Sequence, residues 1–434
     1  MGKFPVGHPK IYVGDECKGL AGPNYTNLKQ IDGLIRCHVI PPRNLYHPVL
    51  PVRMHGKLMF PLCHAYCKSM SQSNCTDEDA PRELEGTWVA DELNKSIELN
   101  YRVTDISEIW EYQVTQYDTK TRKGALFVAY VNTFLKIKHE SSGWPSECLD
   151  EASKENYLRE HVTVEGIELD REMVFKNRGL RSVGKLCLNS FWGKFGQRAN
   201  LPHTNVVEER RRLLELLTNP ELELHDITTV NDDVLYATRS YKDEAGVASP
   251  YTNVVIAAYT TAQARPKLFD YLYQLDRPVF YYDTDSSIYI CHTNLPEYNP
   301  SLGRLLGQMT DELEVYGKGS YIDTFVSGGP KFYAYSVTFP DRKSHQVCKL
   351  KGITLNYKNL QVCNFETIRE MVVSNAPPIS ISFRAIRRSK FHDVMTRTEK
   401  KPCKPVHCKR RFFENYESLP YGYDVEGENM EHRK

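Results

Sequence analysis

Two carboxylates, Asp283 and Asp285, stand two apart in the run Phe280-Tyr-Tyr-Asp-Thr-Asp-Ser-Ser-Ile-Tyr-Ile290. The apolar and aromatic flanks read as β-structure, so the spacing predicts both acids on one face, at a tight bend between two strands. Like charges this close and partly buried are unfavourable unless a cation neutralises them. Mg2+ or Mn2+ suits such a pair, because these hard cations take one or two carboxylates and complete their shell from phosphate and water. Paired acids of this kind serve two-metal phosphoryl transfer. A surface Asp-Thr-Asp turn is the plainer reading, and a nuclease or phosphatase could use the same pair.

A second run, Arg178-Gly-Leu-Arg-Ser-Val-Gly-Lys-Leu-Cys-Leu-Asn-Ser-Phe-Trp-Gly193, has no acid near it between Glu172 and Val207. Arg178, Arg181, Lys185 and Asn189 follow at intervals of three, four and four, which lines them up on one helix face. Leu180, Val183 and Cys187 fall on another. A row of cations suits a triphosphate, each making charge-assisted hydrogen bonds; a solvated basic face is the bland alternative. Lys349-Leu-Lys351-Gly352 closes a β-rich segment. Cys63, Cys67 and Cys75 are candidate zinc ligands, with His64 or Asp77 needed to complete a set. The three-residue spacing between Cys63 and Cys67 is uncommon for zinc, and free thiols remain the plainer alternative. Cys403, His407 and Cys408 are a weaker set.

These residues need elements to hold them. Residues 31–40 read as a short β run, and Gly86-Thr-Trp88 as a turn before a helix over 90–99. A strand follows over 101–113 and a helix over 125–138. After a turn at Ser141-Ser-Gly-Trp-Pro145, the pattern predicts a helix over about 170–192. Residues 205–217 read as a charged, solvent-facing helix, 251–275 as another helix, and 331–339 with 345–353 as a strand pair.

The chain of 434 residues and 50.1 kDa is long enough for two to four packed subdomains. Its net charge of +1 hides eleven Lys/Arg against two acids between Arg384 and Arg411, a candidate phosphate-facing surface or an ordinary solvated segment. Twelve irregularly spaced cysteines in a long chain suggest free thiols in a reducing compartment. Neither a secretory leader nor an apolar run of membrane length is legible, so no membrane is expected. Nucleus, cytoplasm and mitochondrion remain open.

Together these motifs resemble the fingers helix and palm hairpin of family B DNA polymerases. That helix carries Lys, three residues, Asn-Ser, one residue, Tyr-Gly; here stand Lys185, Asn189-Ser190 and Gly193, with Trp192 in place of the tyrosine. The hairpin carries Tyr, one residue, Asp-Thr-Asp-Ser, matched by Tyr281 to Ser286. Lys349, Lys351 and Gly352 look like the signature that holds the primer end. Ser142-Gly-Trp-Pro145, the 260–268 helix and Pro420-Tyr-Gly-Tyr423 are similar to the protein-primed branch of transposons, linear plasmids and viruses.

The resemblance implies an α+β right-hand fold with palm sheet, helical fingers and C-terminal thumb. Residues 1–165 would be a partial palm with the cysteine-containing segment and a first insertion. The fingers would span 166–199, a second insertion 200–245, the palm with its catalytic hairpin 246–354, and the thumb 355–434. Asp283 and Asp285 would hold Mg2+ or Mn2+, Arg181 and Lys185 the incoming triphosphate. Asn189 and Gly193 would line the nascent base pair, and Lys349, Lys351 and Gly352 would seat the primer. Primer-template DNA, dNTPs and a terminal protein primer are the implied partners. The family's upstream Asp, two residues, Ser-Leu-Tyr-Pro string is missing, and Asp91, Asp105 and Asp118 lack its context. Phe4-Pro-Val-Gly-His-Pro9 resembles a stretch that follows that string, so the expectation is an N-terminally truncated polymerase without its exonuclease. The alternative is a catalytically inactive, nucleic-acid-binding remnant.

Overall fold

Strict alternation in Gly33–Ile40, where Ile35, Cys37 and Val39 are buried between more exposed neighbours, makes this segment a half-buried strand. In the computed structural model, which describes residues 2–198, 200–245, 251–276, 279–292, 298–389, 393–413 and 417–425, it joins a four-stranded antiparallel sheet. Numbering the elements used below in chain order, the strands are β1 (Lys3–Val13), β2 (Gly33–Ile40), β3 (Leu84–Val89) and β4 (Arg102–Gln116). Their order is β1-β4-β2-β3. Gly86-Thr-Trp88 is strand, not the expected turn. Cys37 pairs with Gly86, and a Cβ on Gly86 would lie 2.6 Å from the Trp88 ring, so glycine lets the indole fold back along its own strand. Helix α1 (Ala90–Glu98) follows directly and buries Leu93 against Ile35, Leu84 and Ile106.

Helices α2 (Val128–Glu140) and α3 (Glu151–Glu160) come next, and a π-helical turn, His161–Glu165, continues α3. The helix expected over 170–192 is split. Asp170 caps a short turn at Arg171–Met173, and Asn177, whose side chain accepts from Leu180 N, starts α4 (Arg178–Phe195). Caps outrank periodicity here, since each satisfies an amide that a continuous helix would have to satisfy internally. Gly184 is the one buried residue of α4; a Cβ there would come within 3.1 Å of Phe134 O, so glycine sets how closely α2 and α4 approach.

Residues 203–241 form a small unit of their own. Strand β5 (His203–Val207), helix α5 (Arg210–Thr218), β6 (Leu222–Thr229) and β7 (Leu235–Tyr241) build a sheet of order β5-β7-β6 over Val207, Leu216 and Ala237. The charged helix expected over 205–217 therefore starts only at Arg210, its first residues being strand. Val206 and Val207 pair with Tyr236 and Leu235, partners that lie too far along the chain for a local pattern to reveal.

Helix α6 (Val254–Leu275) fits the expected 251–275 and runs under the first sheet, placing Tyr259 and Ala262 against Val89. It leads to the hairpin of β8 (Val279–Asp283) and β9 (Ser286–Tyr289). Next come β10 (Tyr321–Ser327), β11 (Phe332–Thr338) and β12 (Ser344–Leu350), a three-stranded meander backed by α7 (Phe365–Val373). A ribbon of β13 (Ile379–Arg388) and β14 (Val394–Cys403) follows. The fold is thus mixed α and β with several small antiparallel sheets. No helix among the described residues is long and apolar enough to cross a membrane.

Candidate functional site

The two acids of the hairpin are related by its turn, not by the pleat of one strand. Asp283 pairs with Ser286 at the end of the ladder, leaving Thr284 and Asp285 as the connecting residues. Thr284 is forced to φ +57°, and Asp285 N donates to Asp283 O at 2.6 Å across it. A β-branched residue in the left-handed region is a strained outlier of the kind found where geometry is held for function. The strained turn lifts Asp285 into solvent and keeps Asp283 half-buried.

What surrounds Asp283 was only partly legible. Lys331 Nζ stands 3.2 Å from its Oδ2, and Thr284 Oγ1 donates to its Oδ1 at 3.1 Å. Lys331 also donates its backbone N–H to the Tyr281 hydroxyl at 3.1 Å, and its carbonyl accepts from Lys351 N at 2.8 Å. The primer-type signature is thereby brought to the hairpin through the start of β11. Lys349 is exposed on β12 opposite Tyr333, whose ring lies 4.6 Å from Tyr281. Gly352, at φ +74°, accepts through its carbonyl from Lys401 Nζ of the ribbon at 2.8 Å. Lys409 joins the group. Burial pushes its ammonium down, Cys408 and Asp283 oppose that, and Lys331 and Lys351 reinforce it. Lys331 and Lys409 stand beside Asp283, and Lys351 stands beside Lys409, an arrangement chemically suited to anionic groups. Sequence reading missed Lys331 because it lies 48 positions from Asp283 and outside any motif.

On α4 the expected stripe is present and open. Arg178, Arg181, Lys185, Asn189 and Gly193 are all exposed, while Phe191 and Phe195 turn inward against Phe127 and Tyr130 of the α2 region. Arg181 Nε donates to Ser142 Oγ at 3.2 Å. The reading missed a further cation. Lys138 of α2 is half-buried; burial lowers its ammonium first, and the nearby Arg181 and Lys185 lower it further, with Glu165 opposing. Alternating Lys and apolar residues in 135–138 gave no signal that Lys138 would face α4. The stripe and the hairpin share no hydrogen bond or ion pair among the described residues. Helix α6 joins them: Asn253 at its start donates to Phe195 O at 3.0 Å, and its end runs into β8.

The cysteine group forms differently from its expectation. Cys63, Cys75 and Asp77 bring ligand atoms within 4.8 Å of one another, but Cys67 and His64 are not among them. Cys67 sits buried on the short helix His64–Ser69, of which Cys63 is the N-cap. Burial raises the Cys63 thiol to about 12, with hydrogen bonding from Tyr66 N opposing and Cys75 and Asp77 adding to the rise. Cys403, His407 and Cys408 form no such group among the described residues.

The basic stretch lies on the β13–β14 ribbon. Arg387 is held by both oxygens of Glu399, at 2.6 and 2.9 Å, and is not free for phosphate; Lys390 lies outside the described residues. Arg384 and Lys400 point to the opposite face, because alternate residues of a strand do. No protein-family model, curated protein or solved structure matches the chain.

Proposed function

We propose that the chain is the polymerase part of a template-directed DNA polymerase of the family B kind, with a right-hand arrangement of palm, fingers and thumb. The observation that carries this reading is the convergence of an Asp-Thr-Asp hairpin with Lys331, Lys351 and Lys409, on a chain whose α4 presents an open row of cations. Asp283 and Asp285 offer hard oxygens at an open turn, which fit Mg2+ or Mn2+. Such ions would stabilise charge on the attacking and leaving oxygens of a phosphoryl transfer. Arg181, Lys185 and Lys138 grip the triphosphate, Asn189 and Gly193 flank the nascent pair, and Lys349 and Lys351 hold the primer phosphates. Lys331 must release Asp283 when a cation arrives.

The second reading, a nucleic-acid-binding remnant without catalysis, is favoured by two observations. Lys331 already neutralises Asp283, and among the described residues no third carboxylate joins the hairpin pair. Primer extension separates the two. The chain is mixed with a labelled primed template, dNTPs and Mg2+ or Mn2+, alongside Asp285→Asn. Templated extension by the wild type, abolished in Asp285→Asn, supports the polymerase. Primed-DNA binding without extension supports the remnant. Failure to bind either primed DNA or dNTP overturns both.

A further inference from the structure

His139, His161 and Glu165 bring one ligand atom each within 4.8 Å of the others, and all three side chains are buried. They come from two segments: His139 from the last turn of α2, His161 and Glu165 from the two ends of the π-helical turn after α3. Such turns recur at functional sites because the wider backbone ring reorients side chains that an α-turn would stack.

The outward-facing atoms of two of them are already held by the protein. His161 Nδ1 donates to Tyr157 O at 2.9 Å, and Glu165 Oε1 accepts from Leu306 N at 2.8 Å. The inward-facing atoms, His139 Nε2, His161 Nε2 and Glu165 Oε2, have no hydrogen-bond partner. His139 Nε2 and Glu165 Oε2 are 3.2 Å apart, within ion-pair range, yet not aligned as donor and acceptor. Three buried polar atoms without partners are unfavourable unless something shared satisfies them. A plain His–Glu ion pair would aim the ring N–H at the carboxylate and would still leave His161 Nε2 orphaned. The 3.2 Å separation instead matches the edge of roughly 3.3 Å that bonds of 2.0–2.1 Å make in a tetrahedron.

We propose that His139, His161 and Glu165 hold a divalent first-row transition metal ion, zinc by ligand chemistry, with its fourth position turned to the neighbouring cleft. Two imidazole nitrogens and one carboxylate are a zinc set that leaves one position open. The carbonyl of Tyr157 on His161 Nδ1–H is the outer partner that fixes which ring nitrogen is free for the metal. A cleft of about 460 Å3, bordered by Tyr157, Cys148, Arg304 and Gln308, lies against His161. Bound there, the ion clamps α2 to the turn after α3. Lys138, next in the chain to His139 and beside Arg181 and Lys185, is thereby fixed. The site is distinct from the acidic hairpin and from the Cys63, Cys75 and Asp77 group.

The test uses the full chain. Metal-free protein is titrated with Zn2+ against a chromophoric chelator, and with Co2+ by absorption spectroscopy. Glu165→Gln and His161→Asn are measured beside the double variant Cys63→Ser, Cys75→Ser, with circular dichroism of each. The wild type should take up one equivalent with a cobalt spectrum free of thiolate charge transfer, and Zn2+ should raise its melting temperature. The cysteine variant should keep that equivalent. Glu165→Gln should weaken it by more than the roughly 10–100-fold that loss of an outer partner costs. Should Glu165→Gln fail to fold, the wild-type cobalt spectrum decides alone. A wild type that binds no stoichiometric metal, a thiolate-type cobalt band, or an unchanged affinity in folded Glu165→Gln overturns the proposal.

Discussion

Asp283 and Lys331 stand in direct competition with any cation that approaches the hairpin. The ammonium lies 3.2 Å from Oδ2, but both side chains are more than a third exposed, at 35% and 59%, so water screens the pair. Lys331→Gln is therefore expected to tighten Mn2+ binding, read by loss of the free-Mn2+ electron paramagnetic resonance signal. Asp283→Asn and Asp285→Asn should each weaken it. Unchanged Mn2+ affinity in all three would remove the hairpin from metal binding. A second residue, His47, sits behind the site with its ring 5.9 Å from Tyr282 and its Nε2 2.9 Å from Asp276 O. Burial lowers its pKa to about 4, the Asp276 carbonyl opposes this, and Arg410 adds to it. An unfolded histidine titrates near 6.5. Between these values the unfolded chain binds the extra proton, so the stability that neutral His47 contributes is full above pH 6.5 and is lost as pH falls toward 4. The loss is on the order of 2–3 kcal/mol. In His47→Gln the fall of melting temperature between pH 6.5 and 4 should be shallower than in the wild type; parallel curves would mean that His47 is not the group responsible.

At the scale of elements, α4 works only as far as α2 holds it. Lys185→Ala should raise the apparent KM for dNTP by about 10-fold or more, the usual cost of a lost hydrogen bond to a charged group, and Lys138→Ala should do the same. Primed-DNA affinity should change little in either. A normal dNTP dependence in Lys138→Ala would return that lysine to the status of a packing residue. Gly184→Leu should push α2 and α4 apart, since even a Cβ would lie 3.1 Å from Phe134 O and 3.3 Å from Lys138 N. Overpacking of this kind costs about 1–3 kcal/mol, and the measurement is chemical denaturation followed by the fluorescence of Trp144 and Trp192. The ribbon gives a sharper test than its charge count did. Reversing Arg384 and Lys400 should weaken duplex binding and flatten its salt dependence by roughly one unit of slope per lost phosphate contact. Reversing Arg387 should mainly repel Glu399, to which it is bonded twice, and leave that slope unchanged.

Taken whole, the molecule divides its apolar interior: the largest core lies between the first sheet and α1, and a second lies between the meander and α7. Smaller ones serve the 203–241 unit and the base of the hairpin. Divided cores unfold in parts. Calorimetry should therefore give more than one transition. One transition whose calorimetric and van't Hoff enthalpies agree would refute the division.

Spacing along the chain determined the hairpin Val279 to Tyr289, the helix Val254–Leu275 and the open cationic face of α4, because each depends on residues within a few turns or a few strand positions of one another. It failed where a residue's partner is distant. Val206 is strand because Tyr236, thirty positions on, pairs with it. The sequence alone placed Asp283 beside Asp285, but left it to the tertiary structure to set Lys331 and Lys409 against that pair and to tie Arg387 to Glu399. The same holds for His139, His161 and Glu165. Their spacings of 22 and 4 match no metal motif, and only the packing of α2 on a π-turn makes three buried lone pairs converge. Local order follows from backbone sterics and periodicity, whereas a site assembled from separate segments follows from which apolar faces bury each other, and that is settled only when the chain is compact.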